Sequence, residues 1–387
     1  MNNGFCFLVA ATALGVAQSP AAQTCDPMVI GPVVSADPNA FAASSDGTLA
    51  AVVSPGGVLL LDFETEPPAE TFVPFTERAD WVEVSGDSVY VVTNQTFVVL
   101  DASDRTAPVE IGSVSDPRFA GIWAGGQASR GGRVLLCDLT AGVLWVDASD
   151  PTAPIVAAEA SVPVPHSVDV AGDFAFVSQN GIFRTMTVLD VSSPAAFAEI
   201  ASVDLPGASA SDGIAIAGDA AIIGVGNNLA VVDISTPTAP QFVQLVEVLP
   251  RVTLESVIVS GDRGFVVGFD FPVPSEVPLV VFDLSDPLAP AEIGRTTVNG
   301  AVSRSTLVGS TLIVPSTDSQ TTLVDVSSCL VEQCTPDTNG DGDLTPADFN
   351  AWILAFNAQA AACDQNGDGA CTPGDFNGWV LNFNAGC

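Results

Sequence analysis

The sequence predicts a mainly all-β chain, seven four-stranded sheets closed into a ring, with a small α-helical unit at the C-terminal end. Three observations carry that prediction. One phrase of apolar residues, then Asp, small residues and Pro, recurs through residues 28–329. Short runs rich in Val, Ile, Leu and Phe, bounded by Gly, Asp, Asn and Pro, fill the intervals, and no helical stripe of ten residues occurs before residue 340. From residue 337 the composition changes to two copies of an acidic, Asn- and Gly-rich design. The recurring phrase reads VLLLDF at 58, FVVLDASDRTAP at 97, VLWVDASDPTAP at 143, MTVLDVSSPAAF at 186, LAVVDISTPTAP at 229, LVVFDLSDPLAP at 279 and TTLVDVSSC at 321. Its aspartates, Asp62, Asp101, Asp147, Asp190, Asp233, Asp283 and Asp325, stand 39, 46, 43, 43, 50 and 42 residues apart. Seven copies of about 44 residues is the period of a seven-bladed β-propeller.

Each copy divides into four strands, as in SVDV, FAFVSQ, TVLDVS and AEIASV. A four-stranded sheet cannot cover its own faces, so seven of them bury each other only by stacking around an axis. The seventh copy stops at Cys329 after its third strand, while an unmatched strand opens the chain at residues 28–35. That strand is expected to supply the missing fourth. Aligning MVIG at 28 with AEIG at 291, and Asp325 with Asp283, places Cys25 and Cys329 on the adjacent positions Leu288 and Pro287. A disulfide is therefore predicted where the other copies have a peptide bond. The seven aspartates, at a strand end before a turn, are expected to accept backbone hydrogen bonds.

Aligning the Gly-containing turns puts Ala40, Asp80, Gly125, His166, Asp212, Glu255 and Ser303 near one end of the channel. Asp80, His166, Asp212 and Glu255 are the candidates there for acid–base catalysis or a divalent cation, since a neutral imidazole among carboxylates suits either. A solvated polar ring is the plain structural alternative. Trp81 and Trp123 are read as packing between blades rather than stacking on a sugar.

Composition narrows the address and the chemistry. The 387 residues are 48% hydrophobic and 14% charged, which excludes a disordered chain. A net charge of −35 repels nucleic acid and anionic lipid. All ten basic residues are Arg, so no Schiff-base or P-loop lysine exists. Neither GxSxG nor HExxH occurs. Residues 5–17 form an apolar run of signal-peptide length, and residues 1–22 are read as a secretory signal. No later stretch is long and apolar enough to span a bilayer. Cys6 lies in the signal and Cys137 in a strand-like run, while Cys334, Cys363, Cys371 and Cys387 crowd the tail. Bridges in an exported protein suit this pattern, with three pairings of the last four open.

In the tail, DTNGDGDLTPADFNAWILAFN and DQNGDGACTPGDFNGWVLNFN begin 27 residues apart. Calcium takes six to eight hard oxygens, and a 12-residue loop supplies them from positions 1, 3, 5, 7, 9 and 12, with Gly at 6. The first loop offers Asp337, Asn339, Asp341, the Asp343 carbonyl, Thr345 and Asp348; the second offers Asp364, Asn366, Asp368, the Ala370 carbonyl, Thr372 and Asp375. Two Ca2+ ions are expected. Thr345 and Thr372 are the expected N-caps, with Pro346 and Pro373 in the first turn. Behind them Phe349, Trp352, Ile353 and Phe356, matched by Phe376, Trp379, Val380 and Phe383, make one apolar stripe per helix.

VVDISTPTAP and its siblings resemble the LVIVD repeat over residues 25–329, which implies a propeller and an interaction role without a settled reaction. The paired loop–helix units resemble a type I dockerin over residues 334–387. That resemblance implies calcium-dependent docking to a cohesin-like or other surface receptor. Pro346, Ala347, Pro373 and Gly374 depart from the usual contact residues, and the ending Ala385, Gly386, Cys387 is similar to GC-ending dockerin variants, for which a surface-anchoring role is inferred. The function expected is a secreted or cell-surface binding and display protein. The alternative is a carbohydrate-active enzyme of polysaccharide catabolism with its site at the channel mouth.

Overall fold

The computed structural model describes residues 25–32, 40, 42–180, 184–206, 211–248, 253–269, 276–299, 304–316, 321–330, 336, 338, 344–358, 360–363, 365 and 371–385. The chain divides into two compact units, one reaching to Cys329 and the other Leu330–Cys387. Among the described residues the first unit is seven four-stranded antiparallel sheets, a seven-bladed propeller. After an opening strand β1 (Met28–Pro32), blade 1 is β2 (Ala42–Asp46), β3 (Leu49–Ser54), β4 (Gly57–Asp62) and β5 (Ala69–Pro74). Blade 2 is β6 (Ala79–Ser85), β7 (Ser88–Thr93), β8 (Thr96–Asp101) and β9 (Val109–Ser115), and blade 3 is β10 (Ile122–Arg130), β11 (Arg133–Asp138), β12 (Gly142–Asp147) and β13 (Ile155–Ala160). Blade 4 is β14 (Pro165–Ala171), β15 (Phe174–Gln179), β16 (Thr185–Asp190) and β17 (Ala198–Asp204), and blade 5 is β18 (Ser211–Ala217), β19 (Ala220–Val225), β20 (Asn228–Asp233) and β21 (Gln241–Glu247). Blade 6 is β22 (Thr253–Ser260), β23 (Arg263–Phe269), β24 (Glu276–Asp283) and β25 (Ala291–Asn299). Blade 7 is β26 (Thr306–Val308), β27 (Thr311–Val314) and β28 (Thr322–Asp325), completed by β1.

The strand type follows from which faces are covered. The two middle strands of a blade lie between neighbouring blades, so both faces are apolar and the sequence runs without alternation, as in LAAVVS and GVLLLD. Val58 and Leu60 of β4 pack toward blade 2, whereas Leu59 and Leu61 pack toward blade 7. The seams of blades 7/1, 1/2, 2/3, 3/4, 4/5 and 5/6 are separate apolar clusters, and Trp81 lies fully buried in the one between blades 2 and 3. The outermost strands meet water on one face and alternate, as QFVQLVE does. First and second strands are joined by two-residue hairpins that open on Gly at φ between 54° and 60°, in Gly47, Gly86, Gly131, Gly172, Gly218, Gly261 and Gly309. Only Gly takes this left-handed conformation without strain.

The first strands line the axis, each beside the next from β2 through β6, β10, β14, β18, β22 and β26, and β26 returns to β2. Closure comes from β1, which pairs antiparallel with β28 in the register Met28 to Asp325. Cys25 and Cys329 form a disulfide with their Cα atoms 4.8 Å apart. The carbonyl of Ile293 accepts the Cys25 N–H at 2.9 Å, and Ser328 Oγ both accepts from Asp26 N and donates to Asp26 O. Gly294 makes room for this seam: a Cβ there would stand 2.6 Å from the Cys25 carbonyl oxygen and 2.6 Å from its sulfur.

The bridge closes a separation of 304 residues, for which chain entropy assigns about 5 kcal/mol. Cys25→Ser with Cys329→Ser, or reduction of the native chain, is expected to lower unfolding free energy by up to about 5 kcal/mol, read from urea midpoints with and without reductant. Gly294→Ala is expected to lower the midpoint of the oxidised protein.

Candidate functional site

All seven repeat aspartates sit at the end of the third strand, and Oδ1 of each accepts the backbone N–H two residues on at 2.8–3.0 Å. This is the turn role expected for them. At Asp101, Asp147, Asp190 and Asp233 the Ser hydroxyl two residues on, then its backbone N–H, holds the carboxyl below the usual carboxylate value. Their oxygens are engaged in turns, which leaves the channel as the place to look for a binding site.

A cavity of about 170 Å³ opens among the first strands of blades 4 to 7. His166 and Asp169 come from β14, Glu255 and Ser256 from β22, and Arg304, Ser305 and Thr306 from the start of blade 7. Arg304 is held from two sides: its carbonyl accepts Ala43 N–H at 2.9 Å, and its Nη1 lies 2.9 Å from Glu83 Oε2 of blade 2. Glu83 also accepts from Ser44 Oγ at 3.2 Å. Asp169 is partly buried, and desolvation pushes its carboxyl up, opposed by the N–H groups of Ile216 and Val170 and by the Arg304 charge. Its Oδ2 accepts Ile216 N–H at 2.8 Å and its Oδ1 accepts Val170 N–H at 2.7 Å, so it fastens blade 4 to blade 5. Ser256 Oγ accepts Ser305 N–H at 3.0 Å, linking blades 6 and 7 the same way. Ser305 Oγ is buried with no hydrogen-bond partner among the described residues.

His166 and Glu255 line one cavity. Asp80 is not among its described lining; it pairs with Arg78 Nε at 2.8 Å, and burial pushes its carboxyl up against the pull of that Arg. Asp212 belongs to β18, with its side chain outside the described ones, as is that of Trp123, and Ser303 lies outside the described residues. Sequence reasoning missed Arg304, Asp169 and Glu83. Glu83 and Asp169 are polar positions inside first strands and Arg304 lies just before one, a signal that shows only once those strands are known to face the axis. Cys137 is a buried free thiol in the seam of blades 3 and 4.

In the second unit, α1 (Pro346–Ala358) and α2 (Pro373–Ala385) begin alike. Thr345 Oγ1 accepts Ala347 N–H and Thr372 Oγ1 accepts Gly374 N–H, each at 3.2 Å. In return Asp348 Oδ2 accepts Thr345 N–H at 2.8 Å and Asp375 Oδ2 accepts Thr372 N–H at 2.7 Å, a reciprocal capping box. Asp375 Oδ1 reaches Gln365 N–H at 2.9 Å, which ties the last position of its loop to the second. The apolar stripes meet, with ring centroids of Phe349 and Trp379 5.0 Å apart and those of Trp352 and Phe376 5.8 Å apart. Trp352 Nε1 donates to Cys363 O, just before the second loop, and Trp379 Nε1 donates to Pro336 O, just before the first. Each helix thereby secures the start of the other loop. The stripe is narrower than expected: of its members Ile353 and Phe376 are exposed, as is Leu354 beside them, because among the described residues the two helices cover only the sides they turn to each other. Cys363 pairs with Cys371, while Cys334 and Cys387 lie outside the described residues. So do Asp337, Asn339, Asp341, Asp343, Asp364, Asn366, Asp368 and Ala370 of the expected ligands. Among the described residues no cluster of three His, Cys, Asp or Glu suits a metal ion, and no helix is long and apolar enough to cross a membrane.

Seven four-stranded sheets around a polar axis define a seven-bladed β-propeller. The chain also carries LVIVD repeats: the family model of that description matches residues 78–116, 165–205 and 208–248, which are blades 2, 4 and 5 in register. No curated protein matches the chain in sequence. Among solved structures, a chain of a mitotic checkpoint complex is similar over 82% of this chain and 99% of its own, at 14% identity and a TM-score of 0.57. The computationally designed Ika8 protein is similar over 79% of this chain and 100% of its own, at 10% identity and a TM-score of 0.51. BamB from Moraxella catarrhalis aligns over 74% of this chain and 84% of its own, at 15% identity and a TM-score of 0.48. At such identities the first two likenesses speak for the fold alone.

Two outcomes are expected. Glu83→Gln takes the Glu83 carboxylate away from the Arg304 guanidinium, at side-chain exposures of 24% for Arg304 and 11% for Glu83; it is expected to cost about 2 kcal/mol in urea unfolding, with part regained in Glu83→Gln/Arg304→Met. The turn aspartates have lowered values, so their stabilisation is complete above the unfolded value of 3.8 and is lost as pH falls through the folded ones. Asp169 and Asp80, with raised values, act oppositely and are relieved by protonation. The urea midpoint is therefore expected to hold or rise slightly from about pH 7 to pH 5 and to fall below about pH 4.

Proposed function

We propose that the protein is an exported, cell-surface binding and display protein, with the propeller as its interaction module. Residues 334–387 tether it as a calcium-dependent, dockerin-like unit to a cohesin-like or other surface receptor. The observation that carries this reading is the repeated Thr-Pro-x-Asp cap, in which Asp348 and Asp375, fully buried, close two acidic loops from their twelfth position. The donors offered at each loop are all hard oxygens, the set that calcium takes. Calcium would neutralise the crowded carboxylates of each loop; Thr345, Asp348, Thr372 and Asp375 would hold it from the helix side. Exposed Ile353, Leu354 and Phe376 give that unit an apolar surface for a receptor. Two disulfides and residues 1–22, read as a signal, support export. The enzyme reading has less support, because Asp169 already accepts two backbone N–H groups and leaves Glu255 without a second available carboxylate in the described lining.

Calorimetry on the full chain is expected to show two calcium sites, and Asp348→Ala or Asp375→Ala to remove one each. Chelation is expected to lower helical circular dichroism while the propeller stays folded. A chain with no calcium-dependent change in helicity would overturn the tether.

A further inference from the structure

The channel cavity has a feature that neither blade stacking nor the tether requires. Its room, about 170 Å³, is comparable with that of an engineered cavity of about 150 Å³ that takes a benzene ring, so a ligand of about six heavy atoms fits. Three serines from three blades line it: Ser167 of β14, Ser256 of β22 and Ser305 just before β26. All three are buried. Ser305 Oγ has no hydrogen-bond partner among the described residues, although the Ser305 N–H donates to Ser256 Oγ at 3.0 Å. That bond uses an acceptor lone pair of Ser256 and not its proton. A buried hydroxyl left unpaired is costly, so whatever enters the cavity has to offer hydrogen bonds.

Charge restricts the class. The charged groups of the lining already have their interactions. Arg304 Nη1 stands 2.9 Å from Glu83 Oε2, and its charge also acts on Asp169. Asp169 accepts the N–H groups of Ile216 and Val170, and His166 and Glu255 each have an interaction of their own. A cationic or anionic ligand would bring an unanswered charge out of water, which costs far more than burying a hydroxyl. A neutral ligand avoids that cost, and its hydroxyls donate and accept as the serines do.

We infer that this cavity binds a small neutral polyol of about glycerol's size, with one hydroxyl bonded to Ser305 Oγ and others to Ser167 and Ser256. Waters would answer the same groups only by being immobilised one by one, whereas a triol brings three hydroxyls on one carbon chain. The inference stands on the propeller, goes beyond its reading as an interaction module, and is independent of the calcium tether.

The test uses the full chain in calcium-containing buffer and four probes of nearly one size: glycerol, 1,3-propanediol, 2-amino-1,3-propanediol and glycerate. Binding is read by ligand-observed magnetic resonance titration. Glycerol is expected to bind with a Kd of about 10 mM or tighter, as a ligand of about six heavy atoms reaches at ordinary efficiency, and ahead of the other three. Ser305→Ala is expected to weaken glycerol roughly fivefold, the worth of one neutral hydrogen bond. It is expected to leave the urea midpoint unchanged or higher, because that hydroxyl has no partner among the described residues to lose. Ser167→Ala is expected to weaken glycerol by a similar factor. Equal or tighter binding by the amine or by glycerate would overturn the neutral class, and equal binding by 1,3-propanediol would overturn the polyol class. Glycerol affinity unchanged in both serine variants would overturn the assigned place. No saturable binding by any probe, the result of a cavity that holds water only, would overturn the site. None of these results alters the calcium response of the tail, so failure here and failure of the tether are read separately.

Discussion

The ring depends on one seam. A propeller whose last blade is built from both ends of its repeat array has no covalent continuity at that point, and the apolar seam that blade 7 shares with blade 1 loses its partner if it opens. Here the seam is held by the β1–β28 pairing, by Ser328 against Asp26, and by the Cys25–Cys329 bridge. Blade 6 adds to it: Arg263 Nε donates to the Cys329 carbonyl at 2.8 Å while its Nη1 reaches Asp283 at 2.9 Å. Gly294 lets the Cys25 backbone lie against the outer strand of blade 6. Between blades 2 and 3 the equivalent contact sets Gly112 against Pro151 and Thr152, so the disulfide lies where an ordinary peptide link runs elsewhere in the ring.

Given closure, the remaining parts divide labour by layer. Middle strands are apolar on both faces and supply the seams. The turn aspartates end the third strands and satisfy backbone N–H groups that the sheet leaves over. Polar residues of the first strands link successive blades around the axis, as Ser44 does to Val84 and Asp169 to Ile216. Because those linking groups face the channel, the interactions that hold the ring also set the charge of its cavity. The second unit follows the same economy on a smaller scale, where Asp348 and Asp375 serve as helix caps at the positions a calcium loop would use.

Much of this was legible in the chain because it repeats. Seven Asp-small-Pro phrases indicated the blade number, the turn role of the aspartates and the missing fourth strand, and the registers of Cys25 and Cys329 indicated the bridge. Thr345, Thr372, Asp348 and Asp375 were legible as caps because capping is local. The cavity was legible only in part. His166 and Glu255 were found by counting back from the turns, whereas Asp80 faces Arg78, a neighbour that counting does not weigh.

The sequence alone determined the strands, their grouping into seven, and the ends that must meet, since periodicity, turn chemistry and cysteine register are properties of neighbours along the chain. Only the tertiary structure decided what meets around the axis: Arg304 of blade 7 with Glu83 of blade 2, Asp169 with the backbone of blade 5, and a Ser305 hydroxyl with no partner among the described residues. Those encounters join residues tens to hundreds of positions apart, and their partners are selected by the curvature of the closed ring and the low dielectric of its channel, which no local pattern encodes.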